Sequence, residues 1–423
     1  MSELMERDSS TRRSRRWSPS PTQAAVLGFL AVSAVLLLVG RYAALDMVEP
    51  GRQSLEPGGT WFGPWVRYDA NWYFQIARNG YDFRAGEQRA IAFWPSYPMS
   101  IRGLSQLTND EFDAGLIITW CSGFATVVLL ARWCQDRMTR TASIAAVVTL
   151  LLFPYAWYLH WSVYGDALFA ACAIGAFVLL ERGRPVLAGL LGAFAAAGRP
   201  MGLAVCAGLM VLTLERRDVL VAMTPRDEAD GAARDPWWRR ILVWLRVPVR
   251  LTRGELRWSD AGVLLSLLGP ILYMAFLWHS EGTPLAFAEA QSAAGWDHEP
   301  GFATWFKISV LNNLRTVGFT QEVTGMVIHG LITVGAILLI PKVVRRFGWG
   351  YGVYCVILVG IPAVSSKDFF GLGRYLLAAF PVVAVVGEWL ASRPVWLRAA
   401  VWSMSAALAG YLAYSYSRGL YVA

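Results

Sequence analysis

"VLAGLLGAFAAAGRPMGLAVCAGLMVLTL", residues 186–214, is the stretch on which the topology of this chain turns. It is apolar almost throughout, and as one helix it would be about 44 Å long at 1.5 Å per residue. The hydrocarbon core of a bilayer is only about 30 Å thick. Gly198–Pro200 interrupt the stretch near its middle. Pro200 has no backbone N–H to donate, and the residue before a proline is disfavoured in the α region. The stretch therefore crosses a membrane once, or folds back at "GRP" as two short helices. Charge decides between these. The arginines of "RDSSTRRSRRWSPSP" (residues 7–21) put the amino terminus in the cytoplasm, and Arg132, Arg137, Arg140, Arg182 and Arg184 follow on the same side. A single crossing would put the loop 215–258, with its ten arginines, outside, together with Lys342, Arg345 and Arg346. A hairpin puts every one of these clusters inside, as the positive-inside trend requires. The sequence predicts the hairpin, with Arg199 at its outer turn.

The rest of the chain fits the same class. Of 423 residues, 56% are hydrophobic and 16% charged, with a mean hydropathy of +0.41. Further candidate spans cover 24–40, 113–132, 143–161, 164–181, 260–279, 323–341, 348–365, 374–391 and 397–415. The predicted fold is an all-α polytopic membrane protein with about 10–11 transmembrane helices. The short alternating segments of a β-barrel are not seen. Residues 1–22 read as a disordered cytoplasmic tail and 23–423 as a single transmembrane domain. Its outer loops are 42–112 and 279–322, and its cytoplasmic loop is 215–258. Within that last loop "DPWWRRILVWLRVPVR" reads as an amphipathic surface helix, with a docking site for a donor-making protein partner as the alternative. The net charge of +8 is carried by short arginine clusters between spans, so it marks topology and not a nucleic-acid partner. Five scattered cysteines lack CxxC spacing and indicate neither a disulfide framework nor a zinc site. The only lysines are Lys307, Lys342 and Lys367, a bias that fits a GC-rich bacterial genome.

With this topology the acids, histidines and cations that do not mark sidedness gather on the outer face. Ionisable groups near a membrane are costly unless paired or useful. Asp69 opens "NWYFQIARNGY", a short amphipathic helix with Gly80 as its terminator. Trp72 and Tyr73 are expected at the headgroup level. As an N-cap, Asp69 would accept backbone N–H groups; as an aimed carboxylate, it would serve as a base. Asp166 starts a later span, flanked by His160 and Tyr164, and has the same two readings. "GWDHEP" brings Asp297 and His298, and "SSKDFFGLGRY" brings Lys367, Asp368 and Arg374. Arg374 lies against the positive-inside trend, and its planar fork matches phosphate oxygens. An acid, outward cations and an interfacial aromatic helix together suit transfer of a sugar from a lipid phosphate. The carboxylate takes the acceptor's proton while the cations stabilise the departing phosphate. No HxxE- or DxD-type motif points to a metal, and no cofactor is expected.

These residues resemble the PIG-V family of membrane mannosyltransferases. "RYDANWYFQIARNGYDF" resembles its first-loop signature, and "AFWPSYPMSIRGL" its following proline-punctuated stretch. "SVYGDALF" with the broken pair at "GRPMG" resembles its acidic segment and "RPxG" turn. "PLAFAEAQSAAGW" and "GRYLLAAFPV" resemble later pieces, so ordered matches run from about 67 to 382. The resemblance implies a GT-C-type, inverting enzyme that moves mannose from polyprenyl-phosphate mannose to a lipid, lipoglycan or protein acceptor. It also implies a site facing away from the cytoplasm, here expected in a bacterial plasma membrane. It puts the base on Asp69 and a second acid on Asp166, where this chain has Gly-Asp in place of Ser-Glu. Arg67, Tyr73, His160, Arg199, Asp297, His298, Lys367 and Arg374 are the expected substrate contacts. The competing readings are a transporter or flippase of lipid-linked sugars and an inactive assembly partner. A ligase moving a whole glycan from a lipid diphosphate would use the same cations. Asp69 facing a deep cavity with Arg374 in reach would favour the enzyme. Asp69 bonded only to its own helix would favour decay.

Overall fold

A computed structural model of the chain describes residues 19–46, 59–81, 89–222, 249–293, 296, 301–318 and 320–422. Among these residues the fold is all-α apart from one short antiparallel strand pair, Leu220–Ala222 against Val249–Leu251. This pair joins the two ends of the basic loop. Residues 1–18 and most of "DPWWRRILVWLRVPVR" lie outside the described residues.

Several helix ends fall where the local chemistry requires. The first runs from Pro21 to Ala43, because Ser20 and Gln23 form a capping box and Pro21 sits at its start. It therefore begins inside the segment read as a tail. Asp110 caps Glu111–Gln135 through Phe112, and Thr139 caps Arg140–Leu151 through Ala142. The span expected over 143–161 stops at Leu151, since Pro154 cannot continue it. A 3₁₀ turn at Ala156–Leu159 follows instead. The span expected at 374–391 is likewise broken. Leu372–Ala378 and Phe380–Ala391 meet at 82°, with Pro381 at the start of the second piece. By length and composition four described helices can cross a membrane alone, or five with that bent pair. Arg140–Leu151, Pro185–Ala196 and Trp349–Ser365 are shorter apolar helices.

Polar contacts sort the helix ends into two groups. At one end Arg140 donates to the Pro19 carbonyl, and Arg137 pairs with Glu181. There too Arg216 donates to the Glu181 carbonyl, Arg217 pairs with Asp260, and Arg346 pairs with Glu388. Glu215 accepts the first two N–H groups of Trp349–Ser365. At the other end Asp166 pairs with Arg199, Asp69 with Arg374, and Arg67 donates to the Ser417 carbonyl. Arg199 thus meets the start of Asp166–Glu181, while Arg216 meets its finish. Pro185–Ala196 and Leu203–Arg216 must run out and back between the two ends, so the hairpin forms as the charge pattern predicts. The result is a multi-pass membrane bundle with a basic end and, opposite it, an end where acids and cations pair.

The core depends on close backbone approach. A Cβ on Gly123 would overlap the carbonyl oxygen of Leu159, in the 3₁₀ turn that replaces the expected helix. Backbone cannot give way as a flexible side chain does. Gly123→Ala is expected to cost about 1–3 kcal/mol of stability, read as a lower melting temperature in detergent.

Candidate active site

The helix Ala70–Asn79 buries Ala70, Phe74 and Ala77, which recur at helical spacing, and ends at Gly80 with φ 79°. Its other side presents Asn71, Trp72 and Gln75 to a cleft of about 940 Å³. Trp72 stacks on Phe93 at 5.7 Å, and Tyr73 packs edge-on to Tyr97 at 4.9 Å. The two aromatic rings expected among lipid headgroups instead pack against protein, and the helix forms part of the cleft wall.

Asp69 occupies the N-cap position of this helix, yet its side chain caps nothing. The carboxylate faces the cleft instead. Both terminal nitrogens of Arg374 donate to its Oδ2, at 3.2 and 3.1 Å. Its Oδ1 has no protein donor among the described residues. Tyr68, immediately before it, has φ 52°, a left-handed conformation that costs a non-glycine residue about 1–2 kcal/mol. Ring contacts with Tyr416 and Tyr421 hold Tyr68 there, and the Tyr164 hydroxyl accepts the Asp69 N–H at 3.3 Å. Burial pushes the Asp69 carboxyl above its ordinary pKa, against the downward pull of Arg374. A raised carboxylate is a better proton acceptor.

Arg374 is fixed from the sides. Its guanidinium lies over the rings of Tyr164 at 4.7 Å, Tyr375 at 5.3 Å and Tyr158 at 5.6 Å. A second pair stands behind it: Arg199 donates to Asp166 at 2.7 Å and lies over Tyr375 at 5.3 Å. Tyr375 is therefore held between two guanidiniums. The Asp69 side chain is 27% exposed and lines the cleft, whereas that of Asp166 is 3% exposed and does not. Asp69 therefore opens on the cleft, while Asp166 stands behind it in its pair with Arg199. Removing the charge on Asp166 would leave Arg199 buried without its counter-ion. Asp166→Asn is expected to cost roughly 2 kcal/mol of stability, measured by thermal unfolding in detergent, with the Arg199→Gln, Asp166→Asn double variant recovering part of it.

The other expected substrate contacts divide. Lys367 lines the cleft together with Asp69 and Arg374. Tyr73 lies beneath the wall, in ring contact with Phe93 and 6.2 Å from Tyr164. Arg67 is fully buried and bonds the carbonyls of Pro64 and Ser417, so it ties the first loop to the last helix. His160 is also away from the cleft: its Nδ1 bonds the Ser33 hydroxyl at 2.7 Å, and its ring stacks on Phe29 at 4.3 Å. Asp297 and His298 lie outside the described residues.

Further residues complete the cleft: Asp368, Gln291 and Trp296 from stretches the sequence had marked, and Ser309, Asn313 and Tyr421, which it had not singled out. Trp296 meets both Trp72 and Phe93 edge-on. Gln291, Ser309 and Asn313 come from the second long loop, and Asp368 and Tyr421 from late in the chain. Ser309 donates to the Lys367 carbonyl at 2.6 Å. Lys307, buried with φ 53°, donates to the Ser366 carbonyl, and burial lowers its ammonium to about 8. The second loop thus clamps the segment that carries Lys367. Among the described residues no group of three His, Cys, Asp or Glu side chains converges as metal ligands do.

Residues 58–225, which hold Asp69, Asp166 and Arg199 but not Arg374, match the model of the mannosyltransferase (PIG-V) family. The chain is 28% identical to the GPI alpha-1,6-mannosyltransferase 2 of Rattus norvegicus over 208 residues, 43% of this chain and 41% of the relative. The chain thus spans less than half the length of that curated relative. Among solved structures, ArnT from Cupriavidus metallidurans bound to undecaprenyl phosphate aligns with a TM-score of 0.46 and 13% identity, over 89% of this chain and 62% of that one. The Archaeoglobus fulgidus oligosaccharyltransferase aligns at 0.44 and 14%, over 93% and 56%. Residues 58–225 thus carry the similarity of this chain to the PIG-V mannosyltransferase family.

Proposed function

We propose that this chain is an inverting mannosyltransferase that takes mannose from a polyprenyl-phosphate donor and adds it to a sugar hydroxyl of a lipid-anchored acceptor. The carrying observation is the cleft-facing pair of Asp69 and Arg374, a carboxylate that spends no hydrogen bond on its own helix. The acceptor oxygen attacks the anomeric carbon of mannose, and Asp69 takes its proton. The bond from that carbon to the phosphate oxygen breaks, and its electron pair leaves with the lipid phosphate. Arg374, with Lys367 in the same cleft, neutralises that phosphate.

The cleft lining supports a sugar acceptor. Trp72, Phe93 and Trp296 offer flat apolar faces for the C–H side of a sugar ring. The carboxamides of Asn71, Gln75, Gln291 and Asn313 offer donors and acceptors for its hydroxyls. Sidedness follows from charge: the opposite end carries Arg137, Arg140, Arg216, Arg217 and Arg346, which the positive-inside trend assigns to the cytoplasm. The cleft then opens on the outer face, where a lipid-linked donor is presented.

The test is transfer from radiolabelled polyprenyl-phosphate mannose in membranes with and without this chain. Label entering a glycolipid or lipoglycan fraction only when the chain is present is the expected result. Label confined to protein would overturn the acceptor, and no chain-dependent label would overturn the activity.

A further inference from the structure

At the basic end of the bundle, away from the Asp69 cleft, a second hollow of about 500 Å³ lies between the Arg140–Leu151 and Val395–Ser417 helices. Ile144, Val395, Ala399 and Trp402 contribute apolar walls, and Arg140 and Arg398 are the only charged residues among the described residues that line it. Arg140 gives Nε and Nη2 to the Pro19 carbonyl, at 3.2 and 2.6 Å, which leaves Nη1 for another acceptor. Among the described residues the Arg398 guanidinium makes no hydrogen bond or ion pair, and no carboxylate lines the hollow. Val395 at its edge is 70% exposed. Two cations with no anion among the described residues, set beside an apolar trough open to the surface, complement an acyl chain with a negative headgroup.

We propose that an anionic phospholipid occupies this groove. One acyl chain lies against Ile144, Ala399 and Trp402, and the phosphate accepts from Arg140 and Arg398. A phosphatidylcholine of the same chains brings a quaternary ammonium toward both arginines, so the groove selects the headgroup as well as the chain. The site is separate from the transfer reaction and does not depend on it.

The experiment is native mass spectrometry of the full chain in detergent, titrated with dioleoyl-phosphatidylglycerol or dioleoyl-phosphatidylcholine. One phosphatidylglycerol is expected to stay bound under collisional activation that strips phosphatidylcholine. Arg398→Gln removes one cation that holds no protein group, so the fold is left alone; its phosphatidylglycerol retention is expected to fall about fivefold. Ala399→Phe fills the groove and is expected to reduce retention as well. Arg182→Gln, at the same end but outside the groove, is expected to leave retention unchanged. Equal retention of the two lipids, parental retention by Arg398→Gln, or an equal loss in Arg182→Gln would each overturn the site, the last by showing diffuse charge attraction.

Discussion

Asp69→Asn is expected to lower mannose transfer by about 10²- to 10⁴-fold while leaving the protein folded. The amide has nearly the same shape and can still accept from Arg374, so the cleft keeps its outline. What it loses is the capacity to take a proton. The loss should therefore fall on kcat, with the KM for donor changed little. The measurement is initial rate against donor concentration in membranes that hold equal amounts of each variant. Asp69→Glu places a base one methylene further along the cleft and is expected to recover part of the rate. A parental rate in Asp69→Asn would remove Asp69 as the base. Among the described residues the other cleft-lining carboxylate is Asp368, whose Oδ1 already accepts the Phe370 N–H at 2.9 Å.

Part of this candidate site was legible in the sequence, and particular residues show why. Asp69 stood out because an acid beside an interfacial helix has few bland explanations. Its N-cap reading could only be resolved by the direction of the side chain, and Arg374, its partner 305 residues away, is a tertiary fact. Arg199 was placed on the correct end because charge sidedness and Pro200 together fix a hairpin. Sequence proximity misled at His160 and Arg67. Each lies within a few residues of an acid, yet a 3₁₀ turn and a loop point them into the core toward Ser33 and Ser417. Gln291 and Trp296 lay in "PLAFAEAQSAAGW", a stretch marked only by its resemblance, and Asn313 carried no signal, since aromatic and amide residues in a loop are ordinary until the fold brings them opposite Trp72. The broken spans at Pro154 and Pro381 were marked by their prolines, but hydropathy windows average across a single proline and so extend through it.

Arg374→Gln is expected to cost about 10²- to 10³-fold in transfer, the range seen when one preorganised stabiliser of developing charge is removed. Two effects combine. The leaving phosphate loses a forked cation, and Asp69 loses the group that lowers its pKa. The second effect has a definite sign. Burial already raises the Asp69 carboxyl, and Arg374 opposes that rise, so without Arg374 the carboxyl must titrate at higher pH still. Transfer needs the ionised form. The acidic limb of the pH profile of kcat/KM for donor should therefore move to higher pH in Arg374→Gln, and the rate deficit should be smallest at alkaline pH. Asp166, Arg199, Tyr73 and Tyr164 face the same carboxylate and are unchanged by the substitution, so the shift reports Arg374 alone. Arg374→Lys keeps a point charge but not the planar fork, and is expected to restore the limb more fully than the rate. A limb that stays in place in Arg374→Gln would show that this arginine does not govern the base. A limb that moves with little loss of rate would leave stabilisation of the leaving phosphate to Lys367.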